Sequence, residues 1–353
     1  DGRVTITPDD GGAATAIEEG AERYRHAVTA RGLLPGCTYR VGVCAGDAQI
    51  ADVVVSTPHE PVEHGRREQF QSGTCSGTLV SVANGGSLIL EPELWLEPSA
   101  DLGPEWLTPP GASCARSEDG TALLVRGAIL SALPVASGRS LEVAASLHFC
   151  DSPDVIGFAD CPEPETLVAF MTDPAAKQLT ATICVGGSRF VRPIPGKWDT
   201  APHRFRVEWD RGLSTFSIDG RTVLSERALV VGPLRPLIGG DPGGTGLRVL
   251  WARASSFCTS GSFTSEVVDH GSPVRWGPIT LTGPALTLTG ARTAFRSGDT
   301  PVPDHTWSTW TDATTDEGPT TPPRRYLQYR VDLCTASGRW TPEVIGVTIQ
   351  RAR

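Results

Sequence analysis

The feature that most constrains this chain is the period of its hydrophobic residues. Leu141, Val143, Ala145, Leu147 and Phe149 alternate with polar or small residues, and Phe205, Val207 and Trp209 alternate with Arg204, Arg206 and Glu208. Successive side chains of a strand point to opposite faces, so such runs place one face in a core and the other in water. Helical periodicity is nearly absent. The one helix-friendly stretch, Ala13 to Tyr24, is short and interrupted by Gly20. Two hairpins can be read directly. Phe216-Ser217-Ile218 turns at Asp219-Gly220 into Arg221-Thr222-Val223-Leu224, and Thr182-Ile183-Cys184-Val185 turns at Gly186-Gly187 into Arg189-Phe190-Val191. With 39 Gly and 29 Pro in 353 residues, many short strands joined by turns are expected. That length holds two or three domains.

Charge and cysteine usage narrow the partners. A net charge of -9 argues against a nucleic-acid ligand, which wants a basic face, and against attraction to anionic lipid. No stretch approaches the ~20 apolar residues of a membrane-spanning helix. The sequence opens at Asp1 without a leader, which reads as a mature product or a fragment. Nine cysteines are scattered along the chain with no Cys-x-x-Cys pair, so a zinc ribbon is not expected. Scattered cysteines in a turn-rich β protein suggest an oxidising compartment, hence a secreted or cell-surface protein. Their odd number leaves one free or bonded to another chain. Cys37 and Cys44 fall on one expected strand, roughly 23 Å apart if extended, too far to pair. Cys150 and Cys161 flank a short Asp-, Pro- and Gly-containing connection and form the best intradomain pair, worth roughly 3 kcal/mol.

Three resemblances organise the chain. Leu33-Leu34-Pro35-Gly36-Cys37-Thr38-Tyr39, followed by Arg40-Val41-Gly42-Val43 and a strand from Ala51 to Ser56, resembles the second half of a fibronectin type III domain. The Tyr would tie down the strand corner. Such a sandwich needs roughly 100 residues, so two strands before Arg3-Val4-Thr5-Ile6 are missing. Gly120 to Val125, Gly138 to Val143, Ala201 to Trp209 and Phe216-Ser217-Ile218-Asp219-Gly220 together resemble the concanavalin A-like lectin/glucanase superfamily. Gly261 to Asp269, Val274-Arg275-Trp276-Gly277, Trp307-Ser308-Thr309-Trp310-Thr311, Arg325 to Val331 and Thr341 to Ile349 look like a galactose-binding-like β-sandwich module of large secreted bacterial proteins. Phe70 to Leu90 resembles its opening strands. The expected architecture is all-β, with serial β-sandwiches: a partial fibronectin type III-like domain over 1–61, and a galactose-binding-like module over 62–96 and 259–353. A concanavalin A-like jelly roll over 97–258 is inserted into that module, an arrangement allowed because domain termini often lie close together.

The jelly-roll resemblance raises a glycosidase reading. Laminarinase-like members carry Glu-x-Asp-x-Glu on one strand, which sets carboxylates on one face about a bound sugar. That pattern is absent. Glu163-Pro164-Glu165 comes nearest, and its central Pro suits an edge or a loop. There is no Gly-x-Ser-x-Gly elbow and no Walker-type loop. Gly239 to Gly244 lacks a Lys and reads as a turn. Asp151, Asp154 and Asp160 could gather around Ca²⁺, against the plainer reading of solvated loop carboxylates. No other cofactor is expected. Trp209 and Trp251 sit in alternating strands and read as core. Trp95, Trp106, Trp198, Trp307 and Trp310 lie near turns, where an aromatic more often caps a core than stacks on sugar. The expectation is therefore a non-catalytic extracellular structural or adhesive protein, such as a filament, stalk or matrix repeat subunit. Its partners would be copies of itself or neighbouring repeats, joined where the incomplete first domain leaves an open edge at Arg3. The alternative is a set of carbohydrate-binding modules of a larger secreted glycan-active enzyme, with glycans as partners.

Overall fold

The computed structural model describes residues 2–8, 15–19, 38–45, 48–56, 61–98, 102–198, 201–210, 212–284, 290–313 and 322–351. The fold is all-β. Gly2–Pro8, Thr15–Glu19, Thr38–Ala45 and Ala48–Ser56 form an antiparallel sheet in the order second, first, third, fourth. Arg3 pairs with Glu18 on one side and Cys44 on the other. The edge expected to be open at Arg3 is therefore covered by Thr15–Glu19 of the same chain, and no strand from another copy is required there. That strand also replaces part of the helix-friendly stretch. Tyr39 is buried. The Leu-x-Pro-Gly corner, Cys37 and the side chain of Cys44 lie outside the described residues.

The central body is a jelly-roll sandwich of two antiparallel sheets. One sheet runs through Leu123–Ser131, Leu247–Phe257, Arg139–Ser146, His203–Trp209, Ser214–Ile218 and Arg221–Glu226. The other runs through Leu123–Ser131, Arg235–Gly240, Val155–Ala159, Leu167–Asp173, Gln178–Val185 and Ser188–Ile194. Leu123–Ser131 belongs to both because it changes sheet at Gly127. There φ is +68°, and a Cβ would stand 2.9 Å from the Ala112 Cα, so only glycine fits comfortably. The alternating runs face inward as their period requires: Leu141, Val143, Phe205, Val207 and Trp209 are all at most 1 % exposed. Both hairpins form at the dipeptides that specify them, with positive φ at Asp219, Gly220, Gly186 and Gly187.

The remaining strands form a second sandwich. Gly290–Gly298, Arg324–Cys334, Ser260–Thr264 and Thr74–Ser76 make one sheet, with Thr311–Asp312 at its edge. Trp276–Thr282, Gly346–Arg351 and Val62–His64 pair in a further sheet, and Thr78–Ser81, Ser87–Leu90 and Glu343–Val344 in another. Phe70, Phe263, Trp276, Phe295 and Tyr329 fill the core. Strand Pro92–Leu96, expected in this module, instead pairs with Leu247–Phe257 and buries Leu94 and Leu96 in the jelly-roll core.

The two sandwiches meet over the outer face of the first jelly-roll sheet. The Arg253 Nε donates to Glu142 Oε2 at 2.8 Å and the Arg204 Nη2 to Glu142 Oε1 at 2.9 Å. Both guanidiniums also reach Glu343 of the second sandwich, at 3.5 and 3.4 Å. Burial alone would raise the Glu142 carboxyl, but Arg253, Arg204 and Arg206 outweigh it and hold the group at about 2. Ala83, Ala144 and Trp251 pack beside this network. The polar row of His203–Trp209, which alternation alone assigns to water, thus faces a second body for part of its length.

Candidate functional site

Beyond the buried network the same polar row continues from Arg206, itself buried, to the partly exposed Glu208 and Asp210. Arg206, Glu208 and Asp210 share one face, two residues apart, and Thr215 of the neighbouring strand stands opposite Glu208. Over them hangs the turn between Arg324–Cys334 and Glu343–Val344. Gly338 bends that turn at a φ of +62° and accepts from the Phe257 N–H at 2.9 Å, which ties it to the jelly roll. Two side chains project from it. Arg339 reaches Asp210 Oδ2 at 3.3 Å. Trp340 lies on Arg206, whose guanidinium carbon is 3.5 Å from the ring centroid. The indole is still 46 % exposed, the only Trp among the strongly exposed large apolar residues described. Arg206 is held in place by donating through Nη2 to Glu208 Oε1 at 2.8 Å and to the Arg339 carbonyl at 2.9 Å.

Beside this stack opens a cavity of about 360 Å³, lined by Arg139, Glu208, Asp210, Leu213, Thr215 and Arg339. A partly exposed indole next to converging carboxylates, guanidiniums and a hydroxyl can hold a ligand with an apolar face and a polar rim. Sugar rings have this form: their C–H faces stack on the ring and their hydroxyls exchange hydrogen bonds with charged side chains. The outward face of the opposite sheet differs. Leu130, Ala159, Leu167, Ala169 and Leu237 line it as a small apolar cluster.

The residues singled out from sequence do not gather. Cys150 and Cys161 are separate thiols. The Lys177 Nζ donates to the Phe149 carbonyl, which places Cys150 by the turn at the Val155 end of Val155–Ala159. Cys161 follows Ala159 at the other end, its thiol donating to the Glu163 carbonyl. Five strand residues span roughly 16 Å, whereas a bridge needs Cα atoms within about 7 Å. What was read as a connection is a strand. Glu163 and Glu165 are exposed in the hairpin that follows it. Asp154 is buried and accepts from the His148 N–H at 2.6 Å. Burial, with a smaller push from Asp241, raises its carboxyl to about 7. Asp151 is exposed, and Asp160 caps the Thr166 N–H. No group of three or more His, Cys, Asp or Glu among the described residues is placed to hold a metal ion. Trp106, Trp209, Trp251 and Trp307 are buried, and Trp95, Trp198 and Trp310 half-buried. Trp340 is not among the residues that the sequence pattern singles out. The Ser337-Gly338 turn before it and Pro342 after it are the signal that could have placed it at a loop tip.

No family model matches the chain, and no curated protein matches it. Solved structures do. A structure reported with endo-acting O-glycanases of the human gut microbiota that initiate mucin breakdown aligns at 15% identity and a TM-score of 0.36, covering 48% of this chain and 100% of that one. The carbohydrate-binding module CBM66 of Bacillus subtilis aligns at 14% and 0.33, covering 42% and 95%. A family 16 endo-glucanase of Bacteroides ovatus aligns at 13% and 0.35, covering 46% and 99%. Activities do not carry across at such values. One expectation is nevertheless corrected. The chain was read as no enzyme for want of a Glu-x-Asp-x-Glu strand, yet the structures it aligns with include glycoside hydrolases and a transglycosylase. Lack of one motif does not exclude catalysis.

Proposed function

We propose that this chain is the carbohydrate-binding part of a larger secreted glycan-active protein, and that it holds sugar in the cavity of Glu208, Asp210, Thr215 and Arg339, beside Trp340. The observation that carries the reading is the exposed Trp340 indole, fixed on Arg206 and set beside the cavity of Glu208, Asp210, Thr215 and Arg339. A large aromatic left in water is costly unless something covers it, and a rigid one loses little entropy when covered. Clefts between domains are common places for small-ligand sites. Polysaccharides lie outside the cell, which agrees with a secreted or surface-held protein. Self-assembly through a donated strand loses its basis, because Thr15–Glu19 already covers the strand at Arg3.

The test is a glycan array probed with the full chain, followed by titration of the best ligand while Trp fluorescence is recorded. Saturable binding with a change in Trp emission supports the proposal. Absence of binding to any neutral or charged glycan overturns it. Incubation with the bound glycan and analysis of its chain length reads out cleavage in the same preparation.

A further inference from the structure

We infer a second, separate binding surface for polyanionic glycans on the outer face of the larger sheet of the second sandwich. Its strands set a polar row outward in strict register. Arg292 lies opposite Asp332, Ala294 opposite Arg330, and Arg296 opposite Gln328. The next strand adds Ser262 and Thr264 to the same face, and its neighbour adds Thr74 and Ser76. Between them Phe263, Phe295, Tyr329 and Val331 point inward and are fully buried.

Half-buried Trp310 lies against this row, its ring centroid 4.8 Å from the Arg296 guanidinium carbon and 5.2 Å from that of Arg330. Arg296 donates through Nε and Nη2 to the neutral Gln328 Oε1, at 2.9 and 2.6 Å, so that hydrogen bond fixes the guanidinium without cancelling its charge. Arg330 bonds Asp332 at 3.0 Å. Arg292 is exposed, and Asp312 stands at the edge opposite Ala294. Three guanidiniums thus face two carboxylates, on a chain whose net charge is -9.

A local reversal of sign on an acidic molecule attracts anions where the rest repels them. Guanidiniums pair bidentately with sulfate and carboxylate, the indole offers a ring face, and the Ser and Thr hydroxyls extend the polar strip across the strands. The row runs across several strands, which suits an extended chain rather than a small molecule. A single aromatic does not make the stacking series that single-stranded nucleic acid uses.

The probes are heparin for sulfate, polygalacturonate for carboxylate, dextran as a neutral chain and a single-stranded oligonucleotide, each titrated against the full chain at about 0.05 M salt. Binding of heparin or polygalacturonate, whichever it is, supports the surface and names its anion. Arg296→Gln with Arg330→Gln should weaken that binding by about tenfold or more. Trp340→Ala should leave it unchanged, so this surface and the Trp340 cleft fail separately. Should the double variant lose its fold by circular dichroism, Arg292→Gln at an exposed position should still weaken binding by about twofold to threefold. The inference is overturned if neither polyanion binds, if a folded double variant or Arg292→Gln binds like the parent chain, or if the oligonucleotide binds as tightly as the glycan.

Discussion

Glu142 shows how one residue can follow a sequence rule and defeat its usual meaning. It alternates with Leu141 and Val143, so it points away from the jelly-roll core as the period demands, yet it is buried. What covers it is a second body contributed by distant parts of the chain, which no local pattern reveals. Replacing it with Gln would leave Arg204 and Arg253 with one carboxylate between them, at a cost of about 3–5 kcal/mol. Denaturant melts of Glu142→Gln check this. The carboxyl is held at about 2 in the folded chain against 4.5 in the unfolded one, so its contribution is present above pH 4.5 and lost as pH falls through 2. Asp154 works in the opposite sense. Its folded value is raised to about 7 from 3.8, so the folded chain binds the extra proton between these limits, and stability declines as pH rises through that window. In Asp154→Asn that decline should vanish, while the His148 N–H keeps an acceptor. Urea midpoints at about pH 5 and pH 8 decide: a wild-type drop absent from the variant is expected, and equal drops would contradict it.

At the scale of elements, the hairpins were legible because Asp-Gly and Gly-Gly between alternating runs name their turn. The helix-friendly stretch failed because neighbouring strands decide a short segment, and Thr15–Glu19 pairs beside Gly2–Pro8. Pro92–Leu96 was assigned to the wrong sandwich because Leu94 and Leu96 tell which face turns inward, not which sheet receives them. Val155–Ala159 lies within what the Asp, Pro and Gly content of 150–161 reads as a connection between cysteines, with Gly157 as its glycine. The structure instead uses that glycine for close approach, since a Cβ there would meet the Val168 carbonyl. From that geometry Cys150 and Cys161 should both react with iodoacetamide after denaturation without reductant. Mass mapping of a Cys150–Cys161 bridged peptide would contradict the placement of the strand. Gly127→Val should cost roughly 2–4 kcal/mol, because it strains a positive φ and crowds Ala112 where the strand changes sheets.

At the scale of the whole molecule, the interlocked sandwiches explain why the candidate site was the least legible part. Arg206, Glu208 and Asp210 lie more than a hundred residues from Trp340 in sequence, and only the packing of one sandwich on the other brings the indole over the row. Sequence could identify the strand and its polar face but not the turn that covers it. The proposed function stands or falls on whether this assembled cleft takes sugar. Its most direct test is the Kd of the array-selected glycan for the full chain and for Trp340→Ala, measured by calorimetry at equal salt and temperature. A loss of about 2 kcal/mol, roughly thirtyfold in Kd, with an unchanged melting temperature is the predicted result. Equal affinity of the two proteins would contradict it.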